Sequence, residues 1–231
     1  FWHPIKLAGE AAATDLMTKG RLEIGIARGA YSYEYERIVP GMDAWNAGKR
    51  MREIAPTLRN LWHGDYAHNG EFFQFPSTTS APKPMQKNGP PIWIGGGAEA
   101  NIKRVGEEFD GWFPITPDAK VIEDKWRQMQ TLAKQSKRNV NSITCAAYLT
   151  LSIDENIEKA QNRADQFLSS YYGARPDVLK KIQACYAGPL EGAIQYLQSF
   201  INAGASHLVL RFAGDHDRHL DLMCKVRERL K

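Results

Sequence analysis

Cysteine is scarce in this chain: Cys145, Cys185 and Cys224 are an odd and unpatterned three. That argues against a disulfide framework and for a reducing compartment, so the expected location is the cytoplasm. No apolar run approaches the roughly 20 residues that cross a bilayer. The opening FWHPIKLAGE has no positively charged leader before an apolar stretch and does not read as a signal peptide. Charge of one sign is also lacking. The net charge of +4 comes from basic residues scattered among acids, without the concentrated patch that nucleic acid binding requires. There are no internal repeats and no low-complexity linkers, and no serine or cysteine nucleophile with a partnered histidine is visible. What is present is a chain of 231 residues, 43% hydrophobic and 24% charged, long enough to bury a real core as a globular protein.

The most informative stretch runs from Pro90 to Trp112, PPIWIGGGAEANIKRVGEEFDGW. An apolar run (Ile92, Trp93, Ile94) ends in Gly95, Gly96 and Gly97, and a helical pattern follows at once. Glycines at a strand-to-helix turn let the backbone approach a ligand closely, and the first N–H groups of the helix have no partner within it. Together they favour a phosphate at the helix N-terminus.

Around that stretch, strands and helices alternate. Apolar patterning predicts β/α-type strands at about 22–27, 91–95, 111–115, 144–152 and 207–212. Leu7, Ala8, Ala11, Ala12 and Leu16 fall at helical spacing, closed by Gly20. Met51 to Leu61 form a second helix, for which Pro56 predicts a kink or a later start. Asn69-Gly70 predicts a hairpin turn between Tyr66–His68 and Glu71–Phe75. Asp154 reads as the N-cap of a long helix, and Pro189 opens another that ends at Gly204. Such alternation implies a parallel sheet with helices outside, and the long insertions after the first strand fall where a barrel carries its active-site loops.

HPIKLAGEAAATDLMTKGRLEIGIARGAY, from His3 to Tyr31, resembles the bacterial luciferase-like flavin-dependent monooxygenases. So do the segment from Leu58 to Trp62 with the hairpin NGEFFQF, then PKPMQKNGPPIWIGGG, DGW, and GPLEGAIQYLQSFINAGASHLVLRF near the end. The order and spacing of these segments extend the resemblance over nearly the whole chain. It implies an α/β protein of the TIM-type (β/α)8 barrel class, dimeric, holding reduced FMN by its phosphate at the C-terminal mouth of the barrel; one branch of the family uses a deazaflavin instead. Relatives carry three β/α strands ahead of the segment that begins here at Phe1, and these hold part of the flavin pocket and a catalytic histidine. Residues 1–231 are therefore expected to form a single barrel domain, incomplete at its N-terminus, with catalytic residues not identifiable. The inward faces of 22–27 and 207–212 are then expected to meet water.

Carried over by the same resemblance, Arg28 of the ARGAY motif is a flavin-phosphate arginine, a role its bidentate fork suits. Gly95, Gly96, Gly97 and Ala98 match the phosphate loop, and Asn101 takes a position where relatives place a hydroxyl or amide. Ala98 replaces a serine that helps in luciferase proper, so backbone N–H groups must do more. The family's second phosphate arginine has no clear counterpart. Gly48 holds its position by length, with Lys49, Arg50 and Arg52 nearby. Arg28 and the amides of Gly96–Ala98 are expected to share one anion site.

The glycine loop also admits a dinucleotide reading. Gly95-x-Gly97-x-x-Ala100 follows a strand, and Asp118 about twenty residues on would take an NAD ribose, but this leaves ARGAY unexplained. Asp215, His216, Asp217 and His219 have some metal-like spacing and read as a polar loop capping the last helix, so no metal is assigned. Tyr171 and Tyr172 read as packing, and the Lys134–Arg138 cluster as a solvated helix end. Three functions of different kinds remain. The leading one is a two-component FMN-dependent monooxygenase, acting on a small organic substrate with O2 and with flavin reduced by a separate reductase. The others are a deazaflavin-dependent hydride-transfer enzyme and a non-catalytic flavin binder.

Overall fold

His3 begins the first element by accepting from the Ile5 amide through its ring nitrogen (3.3 Å), and Pro4 at the first helical position lacks only an N–H that would have no partner there. The helix α1 (Pro4–Met17) buries Ala8, Ala11 and Ala12 as their spacing predicts. The computed structural model describes residues 2–29, 32–39, 41 and 46–230. Ala30 and Tyr31, the last residues of the ARGAY motif, lie outside the described residues. Two units make up the chain, Phe1–Gly95 and Gly96–Lys231.

In the first unit, β1 (Ile24–Ile26) is followed by α2 (Ser32–Ile38), α3 (Ala47–His63), a hairpin of β2 (Tyr66–Asn69) and β3 (Gln74–Thr78), and β4 (Ile92–Gly95). β1 and β4 run parallel, with Ile24 opposite Ile92 and Ile26 opposite Ile94. Asp15 of α1 is buried and accepts from Leu22 and from both the backbone and the side chain of Gln86. Burial pushes its carboxyl upward, but these hydrogen bonds outweigh it and hold the group below its usual range.

Two expectations fail in this unit. A later helix start at Pro56 does not occur, since α3 runs unbroken for 17 residues with Pro56 inside it. Its apolar face, with Met51, Ala55, Leu58, Leu61 and Trp62 buried, outweighs one missing backbone bond. The hairpin turns later than Asn69-Gly70: Asn69 pairs with Gln74, and residues 70–73 form the connection. The reason is Glu53 on α3, whose carboxylate accepts from the amides of Phe72 (3.0 Å) and Phe73 (2.9 Å) and from His68 Nε2 (2.7 Å).

The second unit runs α4 (Glu99–Glu107), β5 (Gly111–Phe113), α5 (Ala119–Gln135), β6 (Thr144–Ile153), α6 (Ile157–Tyr172), the short α7 (Pro176–Leu179), β7 (Ala184–Gly188), α8 (Leu190–Asn202), β8 (His207–Phe212) and α9 (His216–Arg227). β6 is its hub, parallel to β5, β7 and β8. All five predicted β/α strands exist, and β7 is an addition that the sequence pattern did not flag. Asn156, not Asp154, caps α6 by accepting from Lys159. Asp154 instead accepts from the Asn156 amide and faces Lys159, Arg163 and Arg218. Pro189 does open α8, as expected.

Burial differs sharply among the strands. Ile92, Trp93 and Ile94 of β4 are buried, and so is most of β6, whereas no residue of β1 or β8 is fully buried. No described helix is long and apolar enough to cross a membrane.

Candidate functional site

β1 ends at Ile26, and Arg28 follows two residues later. Here the first unit holds a cavity of about 240 Å³, lined by Ile24, Ile26, Arg28, Tyr35, Arg50 and Met51 among others. Gly29 has φ +90, a left-handed conformation that favours glycine, and a Cβ there would stand 3.0 Å from the Tyr35 hydroxyl. Burial pushes the Tyr35 phenol upward, opposed by the positive charge of Arg28. The two groups are therefore electrostatic neighbours.

Arg50 reaches the same cavity from α3. Its guanidinium lies over the rings of Phe73 (4.5 Å) and Phe72 (5.7 Å), which the Glu53 contacts hold in place. Lys49 turns away to Glu71 (3.4 Å). Arg50 thus lines the cavity at a place where alignment by length assigns no arginine. One signal for it was legible in the sequence: it precedes buried Met51 on the helix whose apolar spacing defines α3.

The glycine loop joins β4 to α4. Gly96 has φ +92, and its carbonyl accepts from Trp112 Nε1 (2.9 Å) while its amide reaches the Phe113 carbonyl (3.3 Å). The loop is therefore pinned to β5 from behind. Ala98 occupies the N-cap of α4 and supplies no side-chain bond to the helix amides. Nothing lies within 4 Å of the position a Cβ on Gly97 would take, so the loop faces open space. Asn101 accepts from Arg104 Nη1 (2.8 Å). Glu99 in the first turn would oppose an anion, but Lys125 (2.7 Å) and Gln128 (3.2 Å) bind its carboxylate, and the Lys125 hydrogen bond foremost holds it below its usual range.

The remaining constellations resolve into structure. Asp118 caps α5 by accepting from the Val121 amide (3.0 Å), which gives it a local role that the dinucleotide reading did not foresee. His219 is fully buried: Nε2 accepts from Ile153 N (2.9 Å) and Nδ1 donates to the Asp215 carbonyl (2.8 Å). The group that looked metal-like thus fastens α9 to the end of β6. Arg138 is not merely a solvated helix end, because it donates to the carbonyls of Val105, in the last turn of α4, and Phe109, just after it (2.6 and 2.8 Å).

Comparison with known proteins agrees with this architecture. The profile of the family described as luciferase-like monooxygenase matches residues 1–229. The oxygenase component of the flavin-dependent trigonelline monooxygenase of Acinetobacter baylyi is 72% identical over 94 residues, covering 41% of this chain and 26% of that protein. The FMNH2-dependent dimethylsulfone monooxygenase of Pseudomonas putida is 28% identical over 48% of this chain and 31% of its own length. The matches thus span about a third or less of these curated relatives. Among solved structures, an F420-dependent secondary alcohol dehydrogenase in complex with an F420–acetone adduct superposes with TM-score 0.82 at 16% identity, over 97% of this chain and 74% of that one. At that identity the likeness speaks for the fold alone.

Proposed function

The chain belongs to the luciferase-like monooxygenase family, and on that footing we propose that it serves a flavin-dependent monooxygenase using O2, a small organic substrate and FMN reduced by a separate reductase. The observation that carries this reading is the pair of guanidinium groups, Arg28 and Arg50, on one cavity at the end of β1. A phosphate needs cations held without much entropy loss, and Arg50 is already fixed on the Phe73 ring. The cavity and the open face of the Gly95–Ala98 loop both suit a phosphate-bearing group.

In this reading Arg28 and Arg50 neutralise phosphate charge. The loop residues Gly95, Gly96, Gly97 and Ala98 offer backbone amides, and Asn101 in the first turn of α4 adds its side-chain amide. Reduced flavin, when bound, supplies the electrons that activate O2. The apolar lining from Ile24, Ile26 and Met51 excludes water from that neighbourhood. The working form is a homodimer in the cytoplasm.

The test is to mix the purified full-length protein with FMN, riboflavin and a deazaflavin, then measure the mass of the retained cofactor and the O2 consumed with a flavin reductase and NADH. Trigonelline, named for the relative 72% identical over 94 residues, is the first substrate to assay. Retention of FMN with substrate-dependent O2 uptake is expected. Retention of deazaflavin without O2 uptake would instead make it a hydride-transfer enzyme, and FMN retention without turnover a flavin binder.

A further inference from the structure

The cavity at the end of β1 carries more positive charge than its surroundings balance. Arg28 and Arg50 both line it, and no acid stands among its described lining residues. Neither guanidinium has an ion pair or a hydrogen bond with any described residue. Glu53, one turn along α3 from Arg50, is filled by His68 Nε2 (2.7 Å) and the Phe72 and Phe73 amides. Glu71 pairs with Lys49 (3.4 Å). Glu34 on α2 acts on the Tyr35 phenol, where the opposing charge of Arg28 outweighs it. An arginine stays charged and presents five N–H donors in a fixed fork. Two such forks therefore face one cavity without a counter-charge.

The two arginines are held differently. Arg50 rests over the Phe73 ring at 4.5 Å and near Phe72 at 5.7 Å, contacts that fix the cation without using its donors. Arg28 is exposed and stands beside Gly29, where φ +90 turns the chain. The remaining walls include Leu7, Ile24, Ile26, Met51 and Ile54. The volume of about 240 Å³ equals about eight waters at roughly 30 Å³ each. That is room for a phosphate and the first carbons of one chain.

We propose that Arg28 and Arg50 make this cavity selective for a phosphate monoester over a diester, so that it accepts FMN and rejects flavins whose phosphate carries a second ester. The inference rests on the flavin reading and carries it from the presence of a phosphate to its charge. Near pH 7 a monoester carries about −1.5 to −2 on three free oxygens, whereas a diester carries about −1 on two. Only the monoester neutralises both guanidinium groups and gives each fork a pair of oxygens, one of them shared. A second ester would set an apolar group beside an unmatched charge. Arg50 decides the selectivity, because Arg28 alone can satisfy a diester.

The experiment titrates the full-length protein with FMN, the monomethyl ester of FMN phosphate, and riboflavin, read by quenching of flavin fluorescence. FMN should bind at least about tenfold tighter than its methyl ester, the scale of one charge-assisted hydrogen bond. Arg50→Gln should bring that ratio close to one while leaving riboflavin affinity unchanged. Arg50→Lys, which keeps the charge without the fork, should retain part of the preference. Lys49→Gln, on the same helix but paired with Glu71, should leave the ratio as it is. A ratio of two ligands within one variant is insensitive to any loss of folded protein. Equal affinity for FMN and its methyl ester, or an undiminished ratio in Arg50→Gln, would overturn the proposal and leave the flavin reading standing. Equal affinity for FMN and riboflavin is a different failure, since it removes the phosphate from the cavity and with it the reading on which the proposal rests.

Discussion

Replacing Glu53 should loosen both the hairpin and the arginine that stands on it. The Glu53 carboxylate is only 12% exposed and accepts three hydrogen bonds, from the Phe72 and Phe73 amides and from His68. The His68 ring is held from its other side by the Tyr66 hydroxyl (2.9 Å). In Glu53→Ala, three donors lose their acceptor. At about 1–3 kcal/mol for each buried group left unpaired, with partial rehydration of the half-buried Phe72 amide, the expected loss is about 3–5 kcal/mol. Glu53→Gln keeps the shape but turns an NH2 toward a donor, so about 1.5–3 kcal/mol is expected. Urea unfolding measures the total, and hydrogen exchange at the Phe72 and Phe73 amides measures the local part. The flavin affinity of the full protein should fall too, because Arg50 rests on Phe73. pH offers an independent check. Burial raises the Glu53 carboxyl, but the His68, Phe72 and Phe73 hydrogen bonds outweigh it and bring the group below 4.5. A depressed carboxylate stabilises the fold above its unfolded value, so this contribution should vanish as pH falls through 4.5 and below. Unchanged stability and unchanged exchange at Phe72 and Phe73 in Glu53→Gln would refute the reasoning.

Arg28→Ala should weaken FMN binding by about 1.5–3 kcal/mol, the worth of a charge-assisted contact, with a similar loss for Arg50→Ala, as read by fluorescence quenching; an unchanged dissociation constant removes the residue from the site. Gly96→Ala should destabilise by about 1 kcal/mol or more, since φ +92 strains any L side chain. Gly97→Ala, which meets no neighbour, should leave the thermal midpoint nearly unchanged and affect only flavin binding. Burial foremost holds the His219 imidazole below 6.5, aided by the charges of Arg163 and Arg218. The unfolded chain therefore takes up the proton first, and stability should fall as pH drops through 6.5, a dependence that His219→Gln should flatten in urea titrations at several pH values.

The strand-helix alternation was legible because each strand is a compact apolar run bounded by Gly, Pro or Asp, as at Ile92–Gly95 and His207–Phe212. A helix start at Pro56 and a turn at Asn69-Gly70 were misread for one reason. In both, tertiary contacts, the buried face of α3 and the Glu53 carboxylate, decided against a local signal. β7 was missed because ACYAG lacks a clear apolar alternation, and it forms by pairing along the exceptionally long β6. Arg50 escaped because an arginine's role depends on which rings it meets, and Phe72 and Phe73 meet it only after folding.

Support for the glycine loop comes from behind, through the Trp112 indole and the Phe113 carbonyl. The positions that look outward, Gly97 and Ala98, carry none of that support. If the turn holds the phosphate proposed for it, mutation can alter its ligand-facing chemistry while the scaffold stays intact. A strand end built this way is evolvable: a lineage can exchange one phosphate-bearing cofactor for another by drift at two exposed positions, without first having to survive a loss of stability.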